Sequence, residues 1–214
     1  MDKYYKEKIN KMIEQSRDAL IKQIEEKGIE KWLDNKIDLY IERNVLPLEW
    51  KEQIIYELKN KNLFYLSVFT KDIKKQNIYE NILLHFLKDN NIDAIKLPQA
   101  GKNALYAYNS IITNDISDKP LELKSLDFEI NLNNNKIYLM HKYTEESGGA
   151  QDNQFNDVVN QIRNLDTNLI NKVWFCLDGK YYTKQKINEL KSLNKNIIIV
   201  NIHTILQTLK KFNK

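Results

Sequence analysis

Cysteine is almost missing from this chain. One residue, Cys176, stands among 214. A single thiol cannot close an intramolecular disulfide, so no disulfide framework holds the fold, and a reducing, cytoplasmic setting is expected. The surrounding VWFCL run places that cysteine in the core. Proline and glycine are scarce as well, three and five residues. No low-complexity linker or internal repeat interrupts the chain, so each glycine position carries information. No apolar run approaches the roughly 20 residues that a transmembrane helix needs. The opening MDKYYKEKINKMIEQ is too polar for a secretory signal. The motifs of several large classes are also missing: there is no Cys/His zinc spacing, no P-loop, no GxGxxG and no GxSxG.

What is present suits a protein with a real core. Hydrophobic residues make up 42% and charged residues 29%. The length allows one sizeable domain, or one with a helical extension. A net charge of +4 permits nucleic-acid binding without requiring it.

Residues 2–27 space Ile9, Met12, Ile13, Leu20 and Ile24 as one helical face, and Gly28 ends that helix. A second helix follows, with Trp32, Leu33, Ile37, Tyr40 and Ile41. A third is expected to begin near Pro47. LFYLSVF (63–69) fits a buried helical turn or a short strand. From residue 77 the pattern changes. NIYENILLHFLKDNN predicts a helix, KLPQAGKN a turn, and ALYAYNSIIT a strand. LKSLDFEI and KIYLMHKY read as two strands of an antiparallel hairpin joined by an Asn-rich turn. AQDNQFNDVVNQIRNL then predicts a helix. VWFCL and NIIIVN are buried strands, each followed by a helix. The expectation is an α/β fold: a helical N-terminal region over 1–76, and over 77–214 a mixed central sheet flanked by helices, with a parallel β-α-β unit near its end.

The stretch from Lys124 to Phe155 concentrates the chemistry. Asp127 interrupts an apolar strand, and period two puts Leu126, Phe128 and Ile130 on one face and Asp127 and Glu129 on the other. Lys142 lies on the next strand, within reach of Asp127 if the hairpin pairs tightly. A carboxylate that holds a hard divalent cation, beside a lysine that stabilises developing charge, suits phosphodiester hydrolysis. His141 is open between ligand, base and packed strand histidine. Gly148-Gly149 precedes a helix N-terminus, a place where unusual backbone or phosphate approach is expected. Amide and cationic side chains able to read base edges cluster at Lys96, Gln99, Lys102 and Asn103, and again at Gln151, Asn153 and Gln154.

The order α-β-β-β-α-β, with an acid on the second strand and a lysine on the third, resembles the PD-(D/E)xK nuclease superfamily. SLDF followed by IYLMHKYTEESGGAQDNQF is similar to type II restriction endonucleases within it. The resemblance covers about residues 77–201. It implies a restriction-endonuclease-like core and Mg²⁺-dependent cleavage of double-stranded DNA at a short site, usually by a homodimer. It implies that Asp127 binds the metal and Lys142 is the catalytic lysine, and that Glu80 is an additional acid on the first core helix. The family pattern places a second acid two residues before the lysine, where this chain has Met140, which cannot hold Mg²⁺. Either His141 occupies that place, or another donor replaces it; Glu129, Asp152 and Gln151 are near in sequence. The rival expectations are a non-catalytic DNA-binding or assembly module that keeps the fold, and a defence or repair nuclease without a palindromic site.

Overall fold

The computed structural model describes residues 2–70, 77–132, 135–146 and 148–212. The chain divides into two compact units, one spanning Tyr4–Ile78 and the other Met1–Lys3 with Tyr79–Lys214.

The first unit is helical, with α1 (Lys3–Lys27), α2 (Lys31–Arg43), α3 (Trp50–Lys59) and α4 (Leu63–Phe69). LFYLSVF is therefore a helix. The Asn62 side chain caps it by accepting the Phe64 N–H at 3.0 Å. Leu20, Ile24, Leu33, Ile37, Ile41, Ile54, Leu58, Leu66 and Phe69 form one apolar cluster. The helical spacing of these residues in sequence puts them on facing stripes, and their burial is the main stabilising term. Lys36 donates to the carbonyls of Phe69 and Thr70 at 2.7 and 2.8 Å. That places a cation on the negative end of the α4 dipole. The third helix begins at Trp50, not at Pro47, whose carbonyl accepts the Trp50 N–H.

Two of these helices end in Schellman turns. After α2, Leu46 N–H donates to Ile41 O and Val45 N–H to Glu42 O. After α3, Asn62 N–H donates to Glu57 O and Lys61 N–H to Leu58 O. The turn puts Val45 and Lys61 at φ 53° and 60°, in the left-handed region that glycine takes most easily.

The second unit runs α5 (Ile78–Asp89), β1 (Asp93–Lys96), β2 (Tyr106–Tyr108), β3 (Ile111–Thr113), β4 (Phe128–Leu132), β5 (Asn135–Tyr143), α6 (Gly149–Arg163), β6 (Val173–Asp178), α7 (Lys184–Leu193), β7 (Ile198–Val200) and α8 (Ile205–Phe212). Five strands form a mixed sheet in the order β1-β4-β5-β6-β7. β1, β4 and β5 pair antiparallel, and β5, β6 and β7 pair parallel. The parallel β6-α7-β7 unit was legible in sequence.

Two elements differ from expectation. ALYAYNSIIT is a hairpin, not one strand: Asn109 and Ser110 take φ 50° and 64°, and the chain reverses between β2 and β3. Two consecutive left-handed residues are what a two-residue hairpin turn requires. β1 was not expected, because four residues are too few for alternation to declare itself. It gains its place by pairing with β4.

On one face of the sheet, Leu126, Met140 and Phe175 cluster with Phe155, Val158 and Ile162 of α6 and Leu190 of α7. On the opposite face Trp174 is fully buried and meets Phe212 of α8 edge-on at 5.3 Å. All six residues of β6 are buried, as a strand covered on both faces must be.

Candidate active site

Asp127 sits immediately before β4, at the point where strand alternation breaks. Leu126 joins the cluster of Met140 and Phe175, whereas Phe128 packs from the other face, edge-on to the His141 ring at 6.3 Å. The expected sharing of one face by Leu126 and Phe128 is thus corrected, because the regular strand starts only at Phe128.

Neighbours on both sides hold the Asp127 backbone. Its N–H donates to Leu139 O at 2.8 Å and its carbonyl accepts the Leu97 N–H at 2.9 Å. The carboxylate is held as firmly. Oδ2 accepts the His141 backbone N–H at 2.7 Å, and Oδ1 accepts from Gln99 Nε2 at 3.2 Å. The residue is only 7% exposed. Burial pushes its carboxyl above the usual aspartate range. The His141 N–H and the Lys142 charge oppose that shift, and the Glu80 charge adds to it.

Asp127 opens onto a cleft of ≈ 410 Å³. Glu80 from the first turn of α5, Lys142 from β5, and Gln154 and Asp157 from α6 line it with Gln99. Lys142 Nζ lies 3.3 Å from Asp157 Oδ2, and Lys124 Nζ lies 3.9 Å from Asp157 Oδ1. Gln154 Oε1 accepts the Thr144 hydroxyl at 2.9 Å. At the rim, Tyr79 and Tyr143 stack with centroids 4.0 Å apart and planes 6° from parallel. A second cavity of ≈ 570 Å³, around Tyr138 and Phe212, is lined by no acid and no histidine. It therefore offers no carboxylate or imidazole that could hold a metal ion.

The fold thus brings together Asp127, Glu80, Lys142, Gln99 and Gln154 from the residues singled out in sequence. Others lie elsewhere. Glu129 is two residues further along β4, opposite Tyr138, with Oε1 2.7 Å from Lys136 Nζ. At about 3.3 Å per strand residue, that step carries it toward the turn, and it does not line the cleft as a metal donor. Asp152 is exposed on α6 and accepts the Tyr181 hydroxyl at 2.6 Å, again outside the cleft. Lys96 reaches Asn81 Oδ1 at 3.3 Å. Lys102 and Asn103 are exposed in the loop after β1, and Asn153 is exposed on α6. The Gln151 side chain lies outside the described residues.

His141 contributes its backbone to the site and sends its ring elsewhere. The residue lines the cleft, but its ring is buried, with Nε2 3.3 Å from Asp178 Oδ2; of the three readings open in sequence, that burial favours a packed or ligating imidazole over a base. Met140, where the resemblance would place a second acid, is 1% exposed in the core. Gly148 is extended at φ 163°, and a Cβ on Gly149 would meet nothing, so neither needs the unusual backbone expected of the pair. The glycine the site does need is Gly179. At φ 98° it turns so close to Thr144 that a Cβ would overlap the Thr144 carbonyl oxygen. Thr144 N–H also donates to Asp178 O at 2.9 Å, which fixes the chain two residues beyond Lys142.

Asp157 is the site residue that sequence reasoning missed. The available signal was its spacing of three from Gln154 on α6, which puts both side chains on one helix face. No protein-family model, curated protein or solved structure matches this chain.

Proposed function

We propose that the protein is a Mg²⁺-dependent endonuclease that cleaves double-stranded DNA at a short specific site as a homodimer, in the manner of a type II restriction endonuclease. The observation that carries this reading is the convergence of a buried aspartate, a second acid and a lysine in one open cleft: Asp127, Glu80 and Lys142.

The donors there fit a hard divalent cation. Asp127 and Glu80 offer carboxylate oxygens, and Asp157 and Gln154 offer further oxygens in the same cleft. The Met140 thioether, buried in the core, offers none. When bound, the cation would neutralise charge at the phosphate and acidify the attacking water. The protein's own groups do the rest. The His141 N–H and the Gln99 amide hold the Asp127 carboxylate in one orientation. Lys142, restrained by Asp157, presents an ammonium to charge developing on the attacking oxygen. Burial strengthens these interactions by lowering the local dielectric.

Incubation of plasmid DNA with the purified protein and Mg²⁺ tests the reading. Discrete fragments support site-specific cleavage, and a smear supports a general nuclease. DNA that stays intact but migrates more slowly supports a non-catalytic DNA-binding module. The core position of Met140 is the one feature that favours this last alternative.

A further inference from the structure

Next to the cleft, which His141 also lines, lies a group of buried side chains that the proposed hydrolysis does not use. His141 on β5 and Cys176 on β6 are register partners across the parallel pair, and Asp178 follows two residues after Cys176. All three are buried, and one ligand atom from each lies within 4.8 Å of the others. Asp178 Oδ2 is 3.3 Å from His141 Nε2 and 3.4 Å from Cys176 Sγ.

We infer that this trio is a binding site for a borderline-soft divalent ion of the zinc type. Three arguments carry it. Ligand bonds of about 2.0–2.3 Å arranged tetrahedrally give ligand–ligand edges of roughly 3.3–3.6 Å; the two contacts to Asp178 Oδ2 match those edges, and the third edge, His141 to Cys176, lies within 4.8 Å and closes as the ion binds. One imidazole nitrogen, one thiolate and one carboxylate oxygen form a donor set that suits Zn²⁺ and is foreign to Mg²⁺. The charges also close: a thiolate and a carboxylate balance a divalent cation, so the loaded site is neutral, as burial demands. Binding displaces the thiol proton to solvent as the Cys176 sulfur becomes a ligand.

Asp178 is already oriented for the task. Its Oδ1 accepts the Ile202 N–H at 2.9 Å and leaves Oδ2 to the trio. Hydrogen bonds of this kind fix metal-ligating carboxylates. Because the site is buried, the ion enters as the chain folds. It holds β5 to β6 directly beneath the His141 N–H that orients Asp127. The site does not depend on the reading of the cleft as a nuclease.

Metal content is the test. The full chain is expressed in zinc-supplemented medium, passed through chelator-treated buffer and measured by mass spectrometry of its metals. One zinc per chain is expected in the wild type. Cys176→Ser and Asp178→Asn should lose most of it, and Asp127→Asn should retain it. Protein produced with Co²⁺ should show the near-ultraviolet charge-transfer band of a cobalt–thiolate bond, a readout that stands even if a variant fails to fold. Zinc no higher in the wild type than in Cys176→Ser, loss of zinc from Asp127→Asn, or a Co²⁺ form without the thiolate band would each overturn the inference. The trio would then be a hydrogen-bonded cluster only.

Discussion

Asp127 carries a conflict that can be measured. Its carboxylate is buried, and burial raises its pKa. A raised acid pKa means that the folded state binds this proton more tightly than the unfolded chain. The stability it contributes is therefore present at low pH. It is lost as pH climbs from the usual aspartate value through the raised one. Asp127→Asn removes the penalty while its amide oxygen can still accept the His141 N–H, and Gln99 can turn its own amide to match. Without metal at neutral pH, Asp127→Asn should melt above the wild type in calorimetry while cleaving DNA at least about a hundredfold more slowly. A variant that cleaves normally removes Asp127 from the chemistry. Lys142 and His141 should separate in the opposite sense. Lys142→Ala should lose cleavage by a similar factor with little change in melting, since its ammonium reaches only the cleft. His141→Ala should cost about 1–3 kcal/mol of stability, because it removes a buried ring and a hydrogen-bond partner of the Asp178 carboxylate. Denaturant titration beside plasmid cleavage tells the two apart. A folded His141→Ala that cannot cut, with an active Lys142→Ala, would exchange their roles.

Element ends show where this chain stores strain. Val45 is a β-branched residue in the left-handed conformation and is 90% exposed, so its side chain repays little of the backbone cost. Val45→Gly should raise unfolding stability by about 1 kcal/mol, read from the denaturant midpoint at constant slope; a fall would mean that the valine packs in a way its exposure does not suggest. Gly179 is the reverse case. Its left-handed backbone and the adjacent Thr144 carbonyl leave no space for a Cβ. Gly179→Ala should destabilise by more than about 2 kcal/mol and should slow cleavage as well, because the same turn fixes the end of β5 beyond Lys142. Normal melting and activity in this variant would show that the turn relaxes freely.

At the scale of the whole molecule, the proposal requires two copies on one duplex. A palindromic site calls for two active sites related by a two-fold axis, and the cyclic dimer is the commonest way to supply them. Light scattering with a cognate duplex should give two chains per duplex, and one chain per duplex would refute the homodimer. Binding should weaken steeply with salt, as phosphate contacts release counterions. Lys102→Ala should lower affinity equally for cognate and random DNA if that exposed lysine meets phosphate, and unequally if it reads a base. Among the described residues no helix is long and apolar enough to cross a membrane.

The element types were legible wherever a period ran long enough to show itself. The helical stripes of α1, α2, α5 and α6, and the all-apolar run of β6, state their burial in the order of their residues. So did the candidacy of Asp127, since an acid in an apolar run needs a reason, and that of Lys142 on the next strand. What the order of residues could not express was pairing. β1 is a strand because β4 lies beside it, and Asn109-Ser110 bends a chain whose alternation looks continuous. Glu129 and Asp127 are equivalent by period, yet the break at Leu126 and the nearness of Lys136 separate them. Asp157 joins Lys142 only because α6 packs across the end of β5. The His141 ring turns to Cys176 and Asp178 because the parallel register of β5 with β6 brings them there. Local periodicity is written in neighbouring residues and survives in one dimension. Contacts between residues far apart in the chain exist only once the sheet has formed, so the tertiary structure alone decided which of the expected residues share a cleft.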